Sequence, residues 1–220
     1  MKNLDILDII FIIDQSGSMF SLTDSTINGF NSFLEEQQKE KGKAYLTLIL
    51  FNTTCNIIYN RVDIREVEPL THKTYVPNGC TALYDAIGLA LEKEELVLND
   101  TKLSEMPHKV LVNIITDGLE NASREYSAKI INRKINELKE KDWSFSFIGA
   151  EIDSFKEGSS IGIQKQDICS FTHSNVGVNS VYNTLSRDIS NYRQQAYCCS
   201  VSSNNNAQTP TYTHSWQNVK

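Results

Sequence analysis

"ILDIIFIIDQSGSMF", residues 6–20, decides how the rest of the chain is read. Seven of the eight residues from Ile6 to Ile13 are apolar. A strand with one wet face alternates apolar and polar residues, whereas a strand covered on both faces reads as a near-continuous apolar run. The run stops at Asp14, and Ser16 and Ser18 follow at every second position around Gly17. An acid therefore stands at the carboxyl end of a buried strand, with two hydroxyls on the turn behind it.

Three more runs of the same kind follow: "YLTLILF" (45–51), "KVLVNIIT" (109–116) and "WSFSFIGA" (143–150). Between them the apolar spacing is helical. Ile27, Phe30, Phe33 and Leu34 share a face in 25–43, Leu83, Ile87, Ala90 and Leu91 in 81–98, and Ile130, Ile131, Ile135 and Leu138 in 127–141. "CNIIYN" (55–60) reads as a hairpin partner of the second strand, "DICSFT" (167–172) as a last short strand, and 178–197 as a final helix. Such alternation predicts α/β architecture: a single Rossmann-like, doubly wound, mostly parallel sheet with one antiparallel edge strand and helices on both faces. The reading gives one domain over residues 1–197. From 198 to 220 periodicity gives way to Ser, Asn and Thr, which predicts a polar, flexible tail.

Composition narrows the function. The chain has 220 residues, 40% hydrophobic and 22% charged, which is ordinary for a globular protein. Its formal net charge is −6, and no Lys/Arg block of the kind that grips nucleic acid or an anionic membrane occurs, so neither is expected as a partner. Five scattered cysteines without a C-x-x-C pair fit a reducing compartment. Asp5 and Asp8 interrupt the apolar core that a signal peptide would need. The expected location is cytoplasmic.

In a doubly wound sheet, ligands bind where loops leave the carboxyl ends of the strands. Three loops there carry oxygen donors: Asp14, Ser16 and Ser18 after the first strand, Thr81 in "NGCTALYD" (78–85), and Asp117 in "IITDGLEN" (114–121). Two carboxylates and three hydroxyls suit a hard divalent cation such as Mg²⁺, which prefers oxygen ligands and octahedral geometry. Taken singly, Thr81 reads as a plain N-cap and Asp117 as a turn former. Their conjunction, in order and on one edge of the sheet, points to a metal site.

At these residues the sequence resembles the von Willebrand factor type A domain, whose metal-ion-dependent adhesion site reads D-x-S-x-S, then Thr, then Asp. The likeness spans about residues 5–195 and is nearest to small stand-alone bacterial and phage members, through "INGFNSFLEEQ" (27–37), "TDGLENASREYS" (116–127) and "FIGAEIDSF" (147–155). The resemblance implies Mg²⁺, with Mn²⁺ as a substitute, held by Asp14, Ser16, Ser18, Thr81 and Asp117 and completed by a Glu or Asp from a partner protein. Met19, Phe20, Glu120, Asn121 and Arg124 flank the site and are expected to touch that partner. Asp85, one turn beyond Thr81, reads as a solvated helix acid or as an acid that orients a loop.

Two other classes compete. One is a metal-dependent phosphoryl-transfer or hydrolytic enzyme using Asp14 and Asp117. Receiver domains, however, need a later Lys that "SFSFIGAE" lacks, dehalogenase-type phosphatases need D-x-D where this chain has Asp14-Gln15-Ser16, and no G-x-S-x-G elbow occurs. His72, His108, His173 and His214 fall in no triad or ligand spacing, and His108 reads as a surface residue. The other class is a scaffold that works through a different face. No enzymatic activity is expected.

Overall fold

A computed structural model of the chain describes residues 3–150, 154–201, 210–216 and 219. Six strands form one sheet: β1 (Asn3–Asp14), β2 (Lys43–Phe51), β3 (Cys55–Asp63), β4 (Pro107–Thr116), β5 (Trp143–Ala150) and β6 (Ile168–Phe171). Their order is β3-β2-β1-β4-β5-β6, parallel throughout except for β3, which runs antiparallel to β2 at one edge. The helices are α1 (Thr23–Lys39), α2 (Leu83–Asp100), α3 (Ala128–Lys139), α4 (Ser154–Ser160) and α5 (Asn175–Val201). The expected doubly wound architecture and its antiparallel edge are both present.

The sheet is doubly covered because β1 is apolar in both registers. Leu7, Ile9, Phe11 and Ile13 face one cluster with Phe30 and Phe33 of α1 and Tyr182, Leu185 and Ile189 of α5. Ile10 and Ile12 face the other, with Leu83, Ile87 and Leu91 of α2 and Ile131 and Ile135 of α3. Each such buried side chain stabilises the fold by about 1.5–3 kcal/mol. Phe11 meets Phe30 and Phe33 edge-on at 5.7 and 4.9 Å. Where α1 crosses α5, Gly29 is required: a Cβ there would stand 2.3 Å from the Tyr182 ring.

Registers place the site. Asp14 is level with Phe51 of β2, and Ile13 with Ile115 of β4, so Asp14 and Thr116 end neighbouring strands side by side. At the other end of the sheet lies a buried polar cluster. Arg61 of β3, in the left-handed region at φ 50°, donates to Asp8 at 2.8 Å and stands 4.0 Å from Glu94 of α2.

Two expectations need correction there. His108 is buried, with Nδ1 2.6 Å from the Ile6 carbonyl and Nε2 2.8 Å from the Tyr192 hydroxyl; the start of this central strand is roofed by α5. The tail expected from Cys198 is also partly ordered. α5 runs on to Val201, and Tyr212 and Trp216 pack against the core while Asp188 accepts from the Ser215 amide (2.7 Å) and hydroxyl (2.5 Å). Residues 202–209, 217, 218 and 220 of that stretch, and 151–153 of "FIGAEIDSF", lie outside the described residues.

Candidate metal centre

The loop after β1 is stitched in place before any side chain is considered. Gln15 donates its amide to Phe51 O (2.7 Å), Asn78 to Gln15 O (2.8 Å) and Gly17 to Gly79 O (3.1 Å). Gly79 has φ +73°, and a Cβ on it would lie 2.7 Å from Thr53 Oγ1, so this crossing needs glycine. Tyr75 donates its hydroxyl to the Asp14 carbonyl at 2.6 Å. Strand end, hairpin turn and the 76–82 loop are thus locked together.

On this frame the five expected residues converge. Asp14 is fully buried; its Oδ1 accepts from the Ser16 amide at 2.6 Å and its Oδ2 from the Thr116 hydroxyl at 2.6 Å. Ser16 Oγ lies 3.1 Å from Ser18 Oγ, and Ser18 donates to Asp117 Oδ1 at 2.7 Å. Thr81 Oγ1 joins them beside Gly118, where an added Cβ would stand 3.1 Å from Thr81 Oγ1, 3.6 Å from Ser18 Oγ and 3.8 Å from Asp14 Oδ2. Those three oxygens front one small space that glycine leaves open.

The residues present fit a hard divalent cation. Octahedral ligands about 2.1 Å from Mg²⁺ stand about 3.0 Å from one another, the scale of the oxygen separations here. Burial pushes the Asp14 carboxyl up to about 6, against the hydrogen bonds from Thr116 and Ser16 that favour its ionised form. Among the described residues neither Asp14 nor Asp117 pairs with a Lys or Arg. A divalent cation would supply the positive charge that these two carboxylates lack. No three His, Cys, Asp or Glu side chains converge among the described residues, so hydroxyl oxygens are integral to the donor set.

The loop after β4 and Thr81 hold each other: the Thr81 carbonyl accepts from the Asn121 and Ala122 amides at 3.0 and 3.2 Å. Thr81 is not the N-cap of α2; that position is Ala82. Asn121 Oδ1 accepts from the Thr81 amide at 2.9 Å, while Glu120 accepts from the Tyr84, Ala122 and Ser123 amides, placing negative charge at the N-terminus of α2. Asp85 accepts from the amides of Arg124, Glu125 and Tyr126, so of its two readings the loop-orienting one holds.

Of the expected flanking residues, Phe20 is 75% exposed and Arg124 also lies at the surface. Met19 does not: the 3₁₀ turn Gly17–Leu22 turns it inward and buries it completely, which corrects its expected place beside Phe20. The carboxylate of Glu120 is engaged within the fold, as is Asn121 Oδ1.

Sequence spacing missed His173. It sits between β6 and α5, and its Nε2 lies 2.8 Å from Asp117 Oδ2. No signal along the chain could have found it, because 56 residues separate the two partners. Ser18, Asp117 and His173 form a line with the carboxylate in the middle. A hydrolase triad needs the imidazole between serine and acid, so this imidazole cannot take the Ser18 proton.

No family model matches the chain, and no curated protein does either. Solved structures do. Proximal thread matrix protein 1 from the mussel byssus, with a zinc-occupied MIDAS motif, is 17% identical over 86% of this chain and 47% of its own, with a TM-score of 0.58. Manganese-loaded TRAP protein of Plasmodium vivax is 19% identical over 77% of this chain and 69% of its own, at 0.52. The vWF domain of the type V pili tip protein Mfa5 from Porphyromonas gingivalis is 10% identical over 83% of this chain and 94% of its own, at 0.59. This chain spans about half the length of the thread matrix protein. What these likenesses establish is architecture: the chain has the α/β fold of the von Willebrand factor type A domain.

Proposed function

We propose that this chain is a divalent-cation-dependent protein-binding module. Asp14, Ser16, Ser18, Thr81 and Asp117 would hold Mg²⁺, or Mn²⁺ in its place, and a Glu or Asp from a partner protein would complete the coordination. When bound, the ion supplies a positive centre that two protein carboxylates and three hydroxyls leave open to a further anionic ligand. Zinc in the MIDAS motif of the byssus protein and manganese in the TRAP protein support a divalent ion for a socket on the same fold.

One observation carries the reading: the all-oxygen cluster shares its face with exposed apolar side chains. Phe20 follows Ser18, Val76 precedes the Gly79 crossing, Leu119 follows Asp117 and Val176 follows His173; they are 75, 49, 52 and 75% exposed. A charged socket ringed by uncovered apolar groups suits a macromolecular partner better than a small polar substrate. The same face supports a binding role over a hydrolytic one, since both Asp14 oxygens accept hydrogen bonds and the imidazole beside the cluster bonds Asp117 rather than a serine. Cys55, Cys80 and Cys169 are free thiols, in keeping with a cytoplasmic location.

The test is the thermal midpoint in EDTA and in millimolar Mg²⁺ or Mn²⁺, for the wild type, Asp14→Ala and Asp117→Ala. A cation that binds only the folded chain adds about 2.7 kcal/mol at one hundred times its Kd. The wild-type midpoint should rise with metal and the variants' should not, and proteins captured on the immobilised chain in Mg²⁺ should elute with EDTA. A wild-type midpoint indifferent to millimolar metal sinks the proposal.

A further inference from the structure

We propose that His173 is a positioning residue of this metal site, setting its affinity by holding the outer oxygen of Asp117. The inference rests on the metal-binding reading above and assigns to it a residue outside the five-residue motif. A carboxylate only accepts, so Nε2 carries the proton and donates to Asp117 Oδ2 at 2.8 Å. The inner oxygen, Oδ1, accepts from Ser18. Held from both sides, Asp117 keeps the rotamer that takes up the Ser18 proton, and the lone pairs of Ser18 are left for the ion.

The geometry of the support is specific. β5 lies between β4 and β6, so the bond from His173 to Asp117 arches over the end of β5 and ties together loops that are not neighbours in the sheet. The turn carrying His173 is tight. Ser174 donates its amide to Thr172 O at 2.6 Å, the Ser174 hydroxyl accepts from the Gly177 amide at 3.1 Å, and a Cβ on Gly177 would meet Thr172 O at 2.2 Å. The imidazole is therefore offered from a fixed point. Partners that orient metal-ligating side chains in this way are worth about 10–100-fold in metal affinity.

The experiment is calorimetric titration of the full chain with MnCl₂, MgCl₂ and ZnCl₂, comparing wild type, Asp14→Ala, His173→Ala and His173→Gln, with each midpoint also measured in EDTA. A glutamine amide can reach the Nε2 position and donate as the imidazole does. His173→Ala should weaken binding of all three ions by a similar factor, about 10–100-fold. His173→Gln should recover most of it, and the EDTA midpoints should stay at the wild-type value. Wild-type affinity in His173→Ala overturns the inference while leaving the metal site standing. So does a midpoint in EDTA that falls with the affinity, which would make the bond a plain structural tie. A loss confined to Zn²⁺ would make His173 a ligand, and failure of His173→Gln would deny the donor role. Should the wild type bind none of the ions, the functional reading falls and the inference with it.

Discussion

Glu94 is fully buried in α2, beside Asp8 and within reach of one guanidinium. Arg61 bonds Asp8 Oδ2, and Thr47 donates to Glu94 Oε2 at 2.9 Å, which leaves Asp8 Oδ1 and Glu94 Oε1 as buried oxygens with no hydrogen-bond donor among the described residues. A proton on Glu94 satisfies both. Burial, and next the Asp8 carboxylate, push Glu94 up from 4.5 to about 8. The folded state holds a proton that the unfolded chain releases, so this contribution is full below about pH 4.5, declines as pH rises and is gone above about pH 8. Glu94→Gln, an isostere of the protonated acid, should match the wild type near pH 4.5 and exceed it near pH 8.5 by several kcal/mol, read from urea midpoints. Parallel profiles for the two proteins would refute the shared proton. Residues like these mark the limit of sequence reading. Asp14, Ser16, Ser18, Thr81 and Asp117 are legible because each belongs to a short local pattern at a strand end. His173, and the pairing of Asp8 with Arg61 and Glu94, depend on contacts across 53 and more positions that no spacing encodes.

Elements were legible in proportion to their hydrophobic period. β1, β2, β4 and β5 are long apolar runs, and α1, α2 and α3 carry helical stripes, so all seven stand where the sequence puts them, with ends shifted by a few residues. α4, seven residues long with only Ser154 and Gly158 buried, has no stripe to read. The packing of elements was less visible than the elements themselves. α1 and α5 approach closely because Gly29 has no side chain, and along the sequence Gly29 looks only like a weak point in a helix. Gly29→Ala would improve helix propensity by roughly 1 kcal/mol in isolation. In the fold its Cβ would collide with the buried Tyr182 ring, and overpacking costs about 1–3 kcal/mol. The collision should win. A fall in the denaturation midpoint at unchanged m-value is the expected result; a midpoint at or above wild type would show that α5 slides to make room.

At the scale of the molecule the two ends of the sheet do different work. The carboxyl ends of the strands carry the oxygen cluster and its apolar rim; the far end is closed by α5 and the segment that returns to it. There Tyr212 meets Tyr192 and His214 edge-on at 5.5 and 4.8 Å, and His214 stacks on Trp216 at 4.5 Å. Aromatic rings at 212, 214 and 216 form a period of two, the mark of an extended segment with one buried face, which the surrounding Ser, Asn and Thr obscured. Burial pushes His214 down to about 4, so it is neutral at ordinary pH and compatible with that seat. The Tyr212 hydroxyl is buried without a hydrogen-bond partner among the described residues, and such a group costs about 1–3 kcal/mol. Two substitutions at one position then move in opposite directions. Tyr212→Phe removes the unpaired hydroxyl and keeps the ring, so its midpoint should equal or exceed the wild type. Tyr212→Ala leaves a hole under the segment and should lose about 3 kcal/mol. Because Tyr212 lies by Trp143, Ser144 and Phe145 at the start of β5, away from the strand ends that hold Asp14 and Asp117, the rise in midpoint on adding Mg²⁺ should be the same in both variants as in the wild type. A metal response that changes with Tyr212→Ala would mean that the two ends of the sheet are coupled, and that the returning segment belongs to the binding machinery rather than to the frame.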